Sequence, residues 1–281
     1  MGGKIIDGKK AADAVLDAAA LKVGRMREKP TLSIVLVGDD PASHVYTKKK
    51  GDACKKVGID SKIINMPSSS TQAEVLAQVE KLNSDPAVDG ILVQVPLPNG
   101  IDEDAVLSAV HPEKDVDGFQ PENFGRLSLS LPTISPCTPK GIIHLLKGSG
   151  VSLPGKHAVV IGRSRIVGKP LAFLLLNEGC TVTICHSKTK DTGSLSRQAD
   201  IVCVAVGKPR FLKGDMVKEG AIVVDAGTNR EGDKLVGDVD FEQVAKKASL
   251  ITPVPGGVGP MTVAMLIENT IDCHMKREGK R

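Results

Sequence analysis

The chain has 281 residues, room for two ordinary domains, and 41% of them are hydrophobic, enough for a full core without disulfide or metal staples. A net charge of +4, carried by scattered basic residues without interleaved aromatics, excludes a nucleic-acid footprint, and no apolar run approaches a membrane span. With one tyrosine, five phenylalanines and no tryptophan, the core has to be built from Val, Ile, Leu and Ala, which suits parallel sheets covered by helices.

Residues 1–10 lack an apolar stretch of the secretory type, so no signal peptide is expected. Residues 11–27 read as an amphipathic helix and 31–37 as a buried strand ending at Gly38. A helix is then expected to run to about Gly58. On it Ser43, Tyr46 and Lys50 share one face, because residues three and four apart are neighbours. A hydroxyl, a flat ring and a titratable amine in one row can bind a planar heterocycle and move a proton beside it. The row would open at the carboxyl end of a strand, where α/β proteins place ligands. The competing reading is a solvated lysine-rich face, with Lys48 and Lys49 pointing to other sides.

Residues 61–66 form a second strand, Ser70 opens a helix with a capping-box pattern running to Leu82, and 90–95 form a third strand. This βαβαβ order implies a parallel sheet with right-handed crossovers. Residues 96–139 loosen into proline-rich loops with one short helical segment near 103–110, and ordered loops of this length are usually functional or inter-domain.

A second alternating unit follows: Thr138 caps a helix over 139–147, with strands at 156–161, 181–185, 201–206 and 221–225 and a helix at 167–177. A short strand at 250–252 and a final helix at 260–275 complete it. The expected class is therefore α/β: two αβ domains with a cleft between them, the second a Rossmann-like doubly wound parallel sheet. The domains are expected at 1–138 and 139–259, with a C-terminal helix at 260–281 packing back on the first.

The turn Gly162-Arg163-Ser164 to Val167-Gly168 lies between strand and helix, where backbone N–H groups can meet a pyrophosphate. Ser164 stands where the middle glycine of G-x-G-x-x-G would be, so a plain turn explains the glycines equally well. The next strand ends Cys185-His186-Ser187-Lys188 without the acid that would take a ribose 2′-hydroxyl. Hydroxyls and the Arg163 cation there favour a 2′-phosphate, and so NADP over NAD. The run 252–260, with three prolines and three glycines, reads either as a segment closing over a flat ligand or as a rigid connector. The six cysteines form no C-x-x-C pair, and alternation puts Cys185 and His186 on opposite faces, so no metal site is expected. Reduced, buried thiols point to the cytoplasm.

In order along the chain, Pro41-Ala42-Ser43 with Tyr46 and Lys50, then Leu92 to Pro98, Glu113 to Gly118, Pro136 to Pro139, Gly162 to Gly168 and Thr252 to Pro260, resemble one family: bifunctional methylenetetrahydrofolate dehydrogenase/methenyltetrahydrofolate cyclohydrolase. The resemblance implies NADP-dependent oxidation of 5,10-methylenetetrahydrofolate, hydrolysis of the methenyl product to 10-formyltetrahydrofolate, and a homodimer formed through the cofactor domain. It implies that Lys50 is the catalytic lysine and Gln94 the neighbour that tunes it. Asp117 would hold the pterin ring, Tyr46 stack on the folate and Ser43 support them. Pro96, Leu97, Gly257, Pro260 and Thr262 would complete the substrate contacts. Gly162, Arg163, Ser164, Val167, Gly168, His186, Ser187, Gly207 and Thr228 would border the cofactor. Thr228 replaces the isoleucine many members carry beside the nicotinamide. A dehydrogenase without the hydrolytic step is the alternative; Lys50 together with Gln94 weighs against it.

Overall fold

The computed structural model describes residues 3–232 and 234–279. In chain order the elements are β1 (Lys4–Ile5), α1 (Gly8–Gly24), β2 (Thr31–Val37), α2 (Pro41–Val57), β3 (Asp60–Met66), α3 (Gln72–Ser84), β4 (Gly90–Val93), α4 (Glu103–Ala109) and α5 (Pro121–Ser128). There follow α6 (Cys137–Gly148), β5 (His157–Ile161), α7 (Gly168–Asn177), β6 (Thr181–Cys185), α8 (Thr192–Ser196), β7 (Ile201–Val204) and β8 (Ile222–Asp225). The hairpin β9 (Asn229–Glu231) and β10 (Lys234–Val236), then α9 (Phe241–Val244), β11 (Leu250–Ile251) and α10 (Val258–Glu278), complete the chain.

Two compact units result. The first comprises Ala14–Cys137 and the chain from Val263 onward; the second comprises the chain up to Asp13 and Thr138–Thr262. Residues 3–13, expected with the first domain, group with the second unit because β1 pairs in parallel with β11.

In the first unit β2 lies between β3 and β4, all parallel. Its core of Val35, Val37, Ile91 and Val93 packs against Val75 and Val79 of α3 and Val106 of α4. Asp40 caps α2 by accepting from the Ser43 N–H at 2.8 Å, Pro41 sets the first helical φ, and Gly58 closes the helix in the left-handed region at φ 82°. The α3 cap is Thr71 rather than Ser70: its N–H donates to Glu74 Oε2 and its hydroxyl accepts from the Glu74 N–H. Asp89 anchors α10 from within the same unit, accepting from the Thr31 N–H at 2.8 Å, contacting His274 Nδ1 at 3.1 Å and pairing with Arg277 at 3.0 Å.

The second unit holds a six-stranded sheet in the order β1-β11-β8-β7-β5-β6, every pairing parallel. Its core is aliphatic, with Val159, Ile161, Val202, Val204, Val223 and Ile251. Thr138, expected as a helix cap, lies inside α6, and its hydroxyl meets that of Thr262 at 2.9 Å.

Candidate active site

Helix α2 carries the Ser43, Tyr46, Lys50 row as the spacing requires. Ser43 is buried, Tyr46 is 41% exposed and Lys50 is half-buried between them. Lys50 Nζ donates to Gln94 Oε1 at 3.0 Å. Gln94 follows β4, is buried, and donates its own amide to the Val95 carbonyl at 2.7 Å. That second bond fixes which end of the amide faces the lysine. Lys49, expected on another side of the helix, places Nζ 5.9 Å from the Tyr46 ring centroid, within cation–π range.

Asp117 is half-buried in the loop after α4. Desolvation by the surrounding protein pushes its carboxyl above the usual carboxylate range; the Lys50 charge and the Cys137 thiol pull the other way. Cys137 Sγ lies 3.7 Å from Asp117 Oδ1. Asn269 of α10 ties this loop down, its Nδ2 donating to the carbonyls of Val116 at 2.8 Å and Ser135 at 2.9 Å. Cys137 and Asn269 carried no sequence signal of this role, since each acts through contacts more than a hundred positions away in the chain or through a buried thiol. Leu97 is fixed by its N–H to Glu103 Oε2 at 3.3 Å, and Pro96 is exposed.

The remaining expected residues belong to the second unit. Gly257 is buried, with Pro260 and Thr262 at the start of α10. Gly162 follows β5 at φ 128°, a conformation L side chains rarely adopt, and a Cβ on it would collide with the Ala205 carbonyl. A Cβ on Gly168 would strike the Gly162 carbonyl. Ser164 Oγ accepts from the N–H groups of Val167 at 3.1 Å and Gly168 at 3.3 Å and so closes the turn that leads into α7. At the end of β6, His186 and Thr189 close a turn that leaves Ser187 and Lys188 exposed, as is Arg163. Gly207 and Thr228 are exposed at the ends of β7 and β8.

Two family models span most of the chain: tetrahydrofolate dehydrogenase/cyclohydrolase, catalytic domain, over residues 6–117, and the NAD(P)-binding domain of the same enzymes over residues 136–278. The chain belongs to the tetrahydrofolate dehydrogenase/cyclohydrolase family. It is 52% identical over 271 residues to the bifunctional protein FolD of Exiguobacterium sibiricum, covering 95% of this chain and 98% of that one. The FolD crystal structure from Campylobacter jejuni superposes with a TM-score of 0.96 at 49% identity, over 98% of this chain and 99% of that one. The Trypanosoma brucei FolD, solved with NADP and an inhibitor, gives a TM-score of 0.94 at 39% identity over 100% of both chains.

In this tetrahydrofolate dehydrogenase/cyclohydrolase the dinucleotide cradle fits its cofactor. The sheet order reverses at β5, which lies between β6 and β7, the switch point where such sheets bind dinucleotides. Gly162 and Gly168 keep the turn clear of side chains, which lets a pyrophosphate approach the N-terminus of α7. Among the described residues no group of three or more His, Cys, Asp or Glu could hold a metal ion, and no helix is long and apolar enough to cross a membrane.

Proposed function

We propose that this protein oxidises 5,10-methylenetetrahydrofolate to the 5,10-methenyl cation with NADP and hydrolyses that cation to 10-formyltetrahydrofolate. The observation that carries the reading is the 3.0 Å hydrogen bond from Lys50 to Gln94, beside the charge-coupled Asp117, in a chain of this family.

Asp117 accepts from the amino and ring N–H groups of the pterin in a bidentate, charge-assisted contact. Tyr46, partly exposed, offers a ring face for stacking, with Ser43 beside it. Pro96 and Leu97 of the same unit add to the substrate contacts. The methylene carbon lies between two nitrogens that stabilise the cation left by hydride departure, so the protein mainly supplies orientation. NADP, when bound, supplies the hydride acceptor.

Hydrolysis asks more of the side chains. Water adds to the methenyl carbon and gives up a proton; the bond from that carbon to N5 then breaks as N5 gains a proton, and the carbinol hydroxyl releases its own proton to solvent as it becomes the formyl oxygen. Lys50 in its amine form takes the first proton and as the ammonium returns it to N5. Gln94 orients the amine through a neutral contact and adds no charge to hold it protonated.

For the cofactor, the Gly162 turn with Ser164, Val167 and Gly168 receives the pyrophosphate, and Arg163 and Ser187 take the 2′-phosphate. His186, Gly207 and Thr228 border the rest. Two finer inferences accompany this reading. Six free, buried cysteines suit the cytoplasm. Strand β6, at the edge of its sheet with Ile184 exposed, and Leu176 on α7 suit a homodimer through the cofactor domain.

The test follows NADPH absorbance with methylenetetrahydrofolate and NADP, and separately the decay of added methenyltetrahydrofolate. NADPH should appear, and the methenyl chromophore should decay well above its spontaneous rate. Decay at the spontaneous rate would leave a dehydrogenase alone.

A further inference from the structure

Two buried carboxylates knit three loops together at the carboxyl end of the sheet in the second unit. Asp225 ends β8 and is 3% exposed; Asp238 follows β10 and is 0% exposed. Asp225 Oδ1 accepts from the N–H groups of Gly227 at 2.9 Å and Asp238 at 3.0 Å, and its Oδ2 from that of Val239 at 2.9 Å. Asp225 therefore fixes the backbone on both sides of the Asp238 side chain.

Asp238 in turn collects a loop. Its Oδ2 accepts from the N–H groups of Val206 at 2.6 Å and Gly207 at 2.9 Å, and its Oδ1 from that of Lys208 at 2.9 Å. Asn229 Nδ2 adds a fourth donor at 2.8 Å. Three consecutive main-chain donors on one carboxylate leave the segment little conformational freedom. Two glycines make the room: a Cβ on Gly227 would collide with the Asp238 carboxyl, and one on Gly237 with that of Asp225. Burying two carboxylates side by side is costly, and an apolar pair would serve a core better. The arrangement is explained by what the loop has to do.

The loop 206–208 leaves the carboxyl end of β7, the strand beside β5. The Gly162 turn rests on the carbonyl of Ala205, the residue just before that loop. A dinucleotide spans this switch point with one nucleotide on each side. The end of β6, with Ser187, takes the 2′-phosphorylated adenosine half in the reading above. The ends of β7 and β8 are left for the nicotinamide half. We propose that Asp238 is a positioning residue for the cofactor: it holds the loop Val206–Lys208 against the nicotinamide half of NADP, and Asp225 holds Asp238. This rests on the cofactor assignment made under the proposed function.

The experiment compares wild-type protein with Asp238→Asn, an isosteric change that turns one acceptor oxygen into an NH2 group facing N–H donors. Titration calorimetry measures NADP and, separately, its 2′-phosphorylated adenosine fragment; methenyltetrahydrofolate hydrolysis is assayed in parallel. We expect the Kd for NADP to rise about tenfold, with the fragment's Kd and the hydrolysis rate within about twofold of wild type. An unchanged NADP Kd, an equal loss for the fragment, or a parallel loss of hydrolysis would overturn the assignment. If Asp238→Asn does not fold, Asn229→Ala replaces it, removing one donor of four; a rise of about threefold confined to NADP supports the role and no change overturns it. A wild-type protein that bound no NADP would instead overturn the underlying cofactor reading.

Discussion

Lys50 and Gln94 stand 44 positions apart in the chain, yet the amine of one donates to the amide oxygen of the other at 3.0 Å. The helix α2 brings the first and the end of β4 the second, and the parallel pairing of β2 with β4 sets the distance. Lys50→Met should therefore lower methenyl hydrolysis by about 10²–10⁴-fold while folding and NADP binding persist. Hydrolysis at the wild-type rate would remove Lys50 from the mechanism.

Asp117→Ala should weaken folate binding by about 1.5–3 kcal/mol, the worth of a hydrogen bond to a charged group, and leave NADP affinity alone. Calorimetry with both ligands checks this. Asp115, two residues earlier, provides the contrast. Its Oδ2 accepts from the Gln120 N–H at 2.8 Å and Asn123 Nδ2 at 3.0 Å, which makes it a loop brace. Asp115→Ala should lower the melting temperature and change folate affinity little.

Burial lifts the Asp115 carboxyl from 3.8 to about 6, and burial lifts Asp225 likewise to about 6. A folded pKa above the unfolded one means that the native state holds the proton more tightly. The associated stability is complete below about pH 3.8 and is lost as the pH rises through about 6. Each buried carboxyl should contribute on the order of 2–3 kcal/mol to that slope. Exposed Asp40 and Glu74 and half-buried Asp200, lowered chiefly by hydrogen bonds from Ser43, Thr71 and Lys218, oppose it weakly because solvent screens them. Denaturant midpoints measured from pH 4 to 7 should show the decline, with a shallower slope in Asp115→Asn. A midpoint rising across that window in both proteins would refute the assignment.

NADP should be preferred to NAD, and the double variant Arg163→Ala, Ser187→Ala should lose most of the preference. Both side chains are exposed, so part of the effect is charge attraction at an open site and should shrink with added salt. Steady-state kinetics with both cofactors gives the answer; equal specificity constants in the wild type would show that another residue takes the ribose.

Much of this protein was legible in its sequence because it is written locally. Strands β2 and β6 fall where unbroken apolar or β-branched runs placed them, and α2 ends at Gly58 where a left-handed residue had to follow. The row Ser43, Tyr46, Lys50 follows from helical spacing alone. Other elements had no local signal. Helix α5 has eight residues with Gly125 in its middle and Gln120 as its cap, and was hidden among proline-rich loops. Strand β1 is two residues long and exists only by pairing with β11, nearly the whole chain away. Asn269 stands 153 positions from Val116 in the loop that presents Asp117. Asp225, last residue of the strand expected at 221–225, and Asp238 carry no local signal of their shared role; folding stacks them beneath three loops. Sequence fixes what neighbours along the chain can do together, through propensity, capping and periodicity. Where a carboxylate is buried, and whose N–H groups it gathers, depends on which strands pair across the sheet, and only the tertiary structure decides that.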